Sequence, residues 1–141
     1  MGFVFSYHAL YVALAVVISW VFAHLLKPIC NKDISWKEIF SNDGKMPSAH
    51  TAPAAALAFA IFFSEGFSTL FILSVVFLIA MMRDAVSVRY AVGQNALALK
   101  EVAGSKKLKN AILVKRGHLP KEVVAGLFIG IFVALLLFLV F

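Results

Sequence analysis

Two histidines stand at the starts of apolar segments, and each has neighbours suited to phosphate chemistry. His50 follows Pro47 and Ser48 at the head of one apolar run, while His118 precedes another run with Glu122 four residues later. At this spacing a carboxylate reaches an imidazole across one helical turn. An imidazole held in one tautomer by a carboxylate can attack phosphorus, and a second imidazole can protonate the leaving oxygen. The pattern predicts phosphoryl transfer, with His118 as nucleophile, Glu122 as its orienting carboxylate and His50 as general acid.

Basic residues near these histidines are candidate ligands for a phosphate group. Arginine binds phosphate oxygens through two parallel hydrogen bonds and lysine acts as a point charge, while free N–H groups at a helix start add donors. The predicted phosphate-binding residues are Lys27, Lys45, Ser48, Arg89 and Arg116.

Arg83 and Asp84 interrupt the end of an apolar segment, where charged side chains usually face a partner or a wet cavity. They are predicted to line the site or support it, with Asp84 neutralising either Arg83 or Arg89. A metal site is not predicted, because His50 and His118 lie in separate loops without a second ligand at short spacing. No cofactor is expected.

The composition is that of an integral membrane protein. Hydrophobic residues make up 62% of 141 positions, charged residues 14%, and the mean hydropathy is +0.95. A chain of this length is expected to form a single domain, 1–141. With a net charge of +6, the protein is expected to bind anionic membrane lipids and not nucleic acid.

Four stretches have the length and apolarity to cross the bilayer as helices, which takes roughly 17 to 25 residues. These stretches are 1–26, 46–64, 66 to about 92, and 123–141. The second and third are joined through Glu65 and Gly66, which predicts a tight antiparallel hairpin. The predicted fold is an all-α bundle of four transmembrane helices, with segment 94–121 as a basic, partly amphipathic surface segment.

The distribution of charge predicts the orientation in the membrane. In this topology all thirteen Lys and Arg residues lie on one side and Glu65 lies on the other. The positive-inside rule then places the basic loops in the cytoplasm of a bacterial-type inner membrane, with both termini outside. His50 and His118 share the basic side, so the predicted site opens to the cytosol at headgroup depth.

At these residues the chain resembles the superfamily of type 2 phosphatidic acid phosphatases and vanadium haloperoxidases, in its small divergent membrane branch. Residues 47–50 match the Pro-Ser-Gly-His motif with Ala49 in place of Gly, and His118 to Glu122 match the end of the third motif with Glu in place of Asp. The branch's Asp-Ala-x-x-Val-Arg and Gly-His-x-Pro-x-Glu-Val segments occur at 84–89 and 117–123. The resemblance implies metal-independent hydrolysis of a lipid phosphate through a phosphohistidine.

The chain departs from the larger superfamily in its first and third motifs. Lys27, the predicted first-motif lysine, is followed by Pro28, but no Arg-Pro pair occurs. The arginine that precedes the nucleophile by six residues would fall at Ile112, so either Arg89 or Arg116 is expected to replace it.

The sequence is compatible with several functions. The expected substrate is an inner-leaflet phosphomonoester such as phosphatidylglycerol phosphate or phosphatidic acid, with an isoprenoid (di)phosphate as the alternative. A small transporter or a non-catalytic scaffold is the competing class, although Asp84 is the only acid suited to coupled transport. Gly126 and Gly130 form a Gly-x-x-x-Gly motif that favours close helix contact, either within one bundle or in a homodimer.

Overall fold

The computed structural model describes residues 7–31, 45–112, 114 and 117–141, and every regular element in these ranges is helical. The elements are α1 (Tyr7–Cys30), α2 (Thr51–Glu65), α3 (Thr69–Arg83), a π-helical turn (Asp84–Val88), α4 (Arg89–Val102), α5 (Lys106–Ala111) and α6 (Pro120–Val140). The predicted all-helical membrane fold is confirmed.

Three helices of the described chain are long and apolar enough to cross a membrane: α1, the continuous helix Thr69–Val102, and α6. The fourth, α2, is apolar but has only 15 residues. At 1.5 Å per residue it spans about 22 Å, less than the roughly 30 Å of hydrocarbon. The prediction of a full spanning helix over 46–64 is therefore corrected, since the helix begins at Thr51 and Met46–His50 enter the bundle as irregular backbone. Such backbone is tolerated at membrane depth where protein surrounds it, and Pro47, Ser48 and Ala49 are buried.

The short helix α2 is the centre of the bundle and packs against α1, α3 and α6. Six of its eight buried residues are alanines, namely Ala52, Ala54, Ala55, Ala56, Ala58 and Ala60. Small side chains allow neighbouring helices to approach closely. In lipid the hydrophobic effect does not drive helices together, so this close packing stabilises the bundle. A Cβ added to Gly126 would lie 2.6 Å from the Ser48 carbonyl oxygen, and one added to Gly130 would lie 2.2 Å from the Ala52 carbonyl oxygen. The Gly-x-x-x-Gly motif therefore packs α6 against α2 within the bundle.

A tight turn joins α2 to α3, as the sequence predicts. Gly66 adopts a left-handed φ of 69°, and its N–H donates to the Phe62 carbonyl at 2.8 Å. Ser68 then caps α3, because its hydroxyl oxygen accepts the Phe71 N–H at 3.1 Å. The short connection makes α2 and α3 antiparallel neighbours.

The helix that begins at Thr69 runs through α3, the π turn and α4 for 34 residues, about 50 Å. This length exceeds the hydrocarbon thickness by about 20 Å. The predicted end near residue 92 is corrected to Val102, and Gly93 is the buried residue of α4. The described residues of segment 94–121 thus form the exposed end of α4, the short α5 and the start of α6.

Candidate functional site

His118 and Glu122 form a buried pair at the start of α6. Their exposed fractions are 3% and 9%, and Nδ1–H of His118 donates to Glu122 Oε2 at 3.1 Å. The same oxygen accepts the Leu119 N–H at 3.1 Å, so the carboxylate is held by a neutral main-chain donor as well. Pro120 begins the helix at a position where a missing N–H costs nothing. The arrangement assigns the imidazole proton to Nδ1 and leaves the lone pair on Nε2, which no hydrogen bond engages within the described residues.

The environment keeps this imidazole neutral. Burial lowers the pKa of His118 below its ordinary value of 6.5, and the positive charges of Lys27 and Arg89 lower it further. The hydrogen bond that His118 donates to Glu122, and the negative charge of Glu122, oppose this change without reversing it. A neutral imidazole with an open nitrogen is the form that acts as a nucleophile.

Lys27 lies in the last turn of α1 and is 3% exposed. Because its charge lowers the pKa of His118, the structure brings this predicted phosphate ligand within electrostatic range of the predicted nucleophile. Asn31 is a residue that the sequence analysis missed. Its side-chain amide donates to the Lys27 carbonyl at 2.7 Å and also to the Met46 carbonyl, which ties the end of α1 to the segment entering α2. The feature of the sequence that could have indicated this role is the position of Asn31, four residues after Lys27 at the end of a helix.

Ser48 is fully buried and connects α2 with α6. Its hydroxyl oxygen accepts the Thr51 N–H at 3.3 Å and the Thr51 hydroxyl at 2.9 Å, and its own N–H donates to the Glu122 carbonyl at 3.0 Å. The Ala52 N–H donates to the Ser48 carbonyl at 3.2 Å. Three amides at this predicted phosphate-binding helix start therefore have partners inside the protein. Thr51, which the sequence analysis did not single out, donates both of the hydrogen bonds that the Ser48 hydroxyl accepts.

His50 is half-buried immediately before α2, two residues beyond Ser48. It is one of the residues that line an apolar cavity of about 220 Å³ between α1 and α3, with Trp20 and Phe77 among the walls. Neither His118 nor Glu122 lines this cavity. The structure thus places the two histidines at the starts of α2 and α6, which pack against each other, and the cavity that His50 lines is not shared with His118.

The π turn brings the segment 84–89 to His118. Asp84 pairs with Arg89 at 2.6 Å, which selects Arg89 from the two partners that the sequence allowed. The His118 N–H donates to the Ala85 carbonyl at 3.1 Å. Gly117, at a φ of 63°, lies against the main chain of Arg89 and Tyr90, where a Cβ would come within 2.5 Å of the Tyr90 nitrogen.

The other predicted site residues are Arg83, Lys45 and Arg116. Arg83 lies on the edge of an apolar groove of about 410 Å³ between α3 and α6. Lys45 is partly exposed at a φ of 64°, beside the cis Met46–Pro47 bond. Arg116 lies outside the described residues. Among the residues that are described, no group of three His, Cys, Asp or Glu side chains is suited to hold a metal ion.

The comparisons with known proteins agree with this description. The family model described as "Divergent PAP2 family" matches residues 7–133. A Bacillus subtilis (strain 168) relative named "Uncharacterized membrane protein YuiD" is 28% identical, over 83% of this chain and 87% of its own length. No solved structure matches the chain. Because the family model covers nearly all of the helical bundle, including both histidines and Glu122, the chain belongs to the Divergent PAP2 family.

Proposed function

We propose that the protein is a membrane phosphatase that hydrolyses a phosphomonoester of a lipid. The observation that carries this proposal is the buried His118–Glu122 pair, with Nδ1 held by the carboxylate and Nε2 without a hydrogen bond in the described chain. Family membership supports a phosphatase-related role in general, and the geometry supplies a nucleophile for it. Lys27 and Arg89, whose charges act on His118, supply positive charge for the phosphate oxygens.

The proposed reaction has two steps. In the first, His118 Nε2 attacks phosphorus, the bond between phosphorus and the lipid oxygen breaks, and the leaving oxygen takes a proton from His50. In the second, His50 removes a proton from water, which attacks the phosphohistidine and releases inorganic phosphate. Glu122 stabilises the positive imidazole ring throughout the first step. For His50 to act, its imidazole must come within hydrogen-bonding distance of the leaving oxygen of a substrate held at His118.

A lipid substrate is favoured by the groove between α3 and α6. Its walls include Ile79, Met82, Val86 and Val124, and it reaches Pro120, two residues after His118. Its volume of about 410 Å³ lies within the roughly 300 to 1,000 Å³ that is typical of ligand sites. An apolar wall beside a phosphate-binding site suits a hydrocarbon chain attached to a phosphate.

The one-sided distribution of lysine and arginine supports a site that faces the cytoplasm. Phosphatidylglycerol phosphate and phosphatidic acid are the proposed substrate types for that leaflet. An isoprenoid (di)phosphate is the alternative, since one hydrocarbon chain would fit the same groove.

The test is release of inorganic phosphate from a panel of these lipids by the purified protein in vesicles, with and without a metal chelator. We expect release that the chelator does not change and that His118→Ala abolishes. The matched control is His8→Ala, because His8 is exposed at the opposite end of α1. A phosphoenzyme should accumulate in His50→Gln with a substrate whose leaving group needs no proton. Full activity in His118→Ala would exclude the mechanism, and no release from any lipid would favour a non-catalytic scaffold.

A further inference from the structure

The π turn changes the hydrogen-bond register of the long helix at one position. The Arg89 N–H donates to the Asp84 carbonyl, five residues back, whereas an α-helix would direct it to Ala85. The Ala85 carbonyl therefore loses its α-helical partner. Ala85 is 2% exposed, so its carbonyl requires a partner from the protein.

His118 provides that partner. Its N–H donates to the Ala85 carbonyl at 3.1 Å, which links the main chain of the predicted nucleophile to the π turn. The approach depends on Gly117, since an added Cβ would lie 2.5 Å from the Tyr90 nitrogen and 2.6 Å from the Arg89 carbonyl carbon. A φ of 63° also favours glycine at this position. Two independent features thus place His118 directly against the widened turn.

The same turn determines the direction of Arg89. In an α-helix, residues five apart are separated by about 500°, which places them about 140° apart around the axis. The wider π turn reduces this angle, and Arg89 Nε donates to Asp84 Oδ2 at 2.6 Å. The side chains of Arg89 and Asp84 are 45% and 38% exposed, so their ion pair adds little to stability. Its geometric effect is to hold one edge of the guanidinium.

We propose that the π turn Asp84–Val88 is the positioning element of the candidate site. The Ala85 carbonyl fixes the main chain of His118, and Asp84 is a positioning residue that directs Arg89 toward the phosphate. The proposal rests on the proposed phosphatase function for its catalytic consequences. Its structural content, the hydrogen bond between His118 and Ala85, can be measured independently of activity.

The principal test is deletion of Ser87, an exposed residue of the turn. Removing one residue permits ordinary α-helical bonding, gives the Ala85 carbonyl a helical N–H, and still leaves the arginine four residues from Asp84. The ion pair is therefore retained while the acceptor of the His118 N–H is lost. Ser87→Ala is the matched control, because it changes the same side chain without changing the register.

Amide exchange of ¹⁵N-histidine-labelled protein, which has four histidines, reports the hydrogen bond directly. We expect the His118 amide to exchange at least about tenfold faster in the deletion variant than in Ser87→Ala. Activity should fall by about a hundredfold, the effect of displacing a reacting group by about 1 Å. Gly117→Ala is a second variant, which leaves the helix register intact and should show both effects through the contact with Tyr90.

The role of Asp84 is tested with Asp84→Asn. Inhibition by inorganic phosphate should weaken about tenfold, because Arg89 is no longer held, whereas the His118 amide should remain protected. Asp84→Glu should restore part of the phosphate affinity. Wild-type protection of the His118 amide in both the deletion variant and Gly117→Ala would overturn the proposal. If the wild type releases no phosphate from any lipid, the proposed function fails, while amide exchange still decides whether the turn positions His118.

Discussion

Replacing Glu122 with Gln removes one charge from the candidate site while keeping its shape. The two donors to Glu122, Nδ1–H of His118 and the Leu119 N–H, converge on the same oxygen, Oε2. A glutamine can place its amide oxygen there and retain both hydrogen bonds. What is lost is the negative charge that stabilises the imidazole ring as it becomes positive during attack on phosphorus.

The expected activity loss lies between about 10² and about 10⁴, the upper value being that of an orienting carboxylate in a well-studied triad. This range corresponds to about 3 to 5.5 kcal/mol of transition-state stabilisation. The pKa of His118 should fall further, because Glu122 raises it whereas burial, Lys27 and Arg89 lower it. Because the pKa of His118 falls in this variant, the loss cannot be attributed to protonation of His118.

The assay combines phosphate release as a function of pH with an NMR titration of the imidazole. Glu101→Gln is the matched control, since Glu101 is exposed in α4. The acid limb of the activity profile should move to lower pH in Glu122→Gln and remain in place in the control. An activity loss smaller than about tenfold, or a rise in the pKa of His118, would refute the reasoning.

Three further predictions concern the phosphate ligand, stability and orientation. Arg89→Lys keeps the charge but loses the planar fork, so it should reduce activity strongly in a folded protein, whereas Lys106→Ala in exposed α5 should be nearly silent; equal tolerance of both would assign Arg89 to structural pairing alone. Because the folded-state pKa of His118 is depressed, its stabilising effect is present above the unfolded value of 6.5 and is lost as pH falls through the folded pKa, so acidification should lower the melting temperature more in wild type than in His118→Gln. With Cys30 replaced by Ser, a cysteine within 100–109 should resist an impermeant thiol reagent in intact cells and one beside Glu65 should react; the reverse pattern would place the site outside.

The sequence alone predicts the class of the protein and the local contacts of the site. Its apolarity specifies membrane helices, because in hydrocarbon every backbone polar group must bond within the chain. The pairing of His118 with Glu122 follows from a spacing of four residues at a helix start, and the turn at Gly66 follows from a residue that tolerates positive φ. Each of these features depends on residues that lie within about one helical turn of each other in the sequence.

The start of α2 shows where sequence reasoning fails over a slightly longer range. Apolarity continues from Met46, but the regular helix begins only at Thr51, and the preceding main chain bonds to α6 through the Ser48 N–H and the Glu122 carbonyl. Hydropathy measures solubility in lipid and contains no information about the hydrogen bonds that fix where a helix begins. The same segment places His50 beside an apolar cavity that residues of α1 and α3 also line, and this cavity depends on packing around α2.

The tertiary structure decided how the distant segments meet. The sequence provides Asp84 with two possible arginine partners, and only the widened turn brings Arg89 within 2.6 Å of it. The hydrogen bond from His118 to Ala85 spans 33 positions of chain and involves only main-chain atoms, so no side-chain pattern marks it. Lys27 is buried at the end of α1, where Asn31 joins this helix to the segment before α2 through the Met46 carbonyl. Each of these contacts depends on how whole helices pack, which local spacing cannot determine because the partners are far apart in the chain.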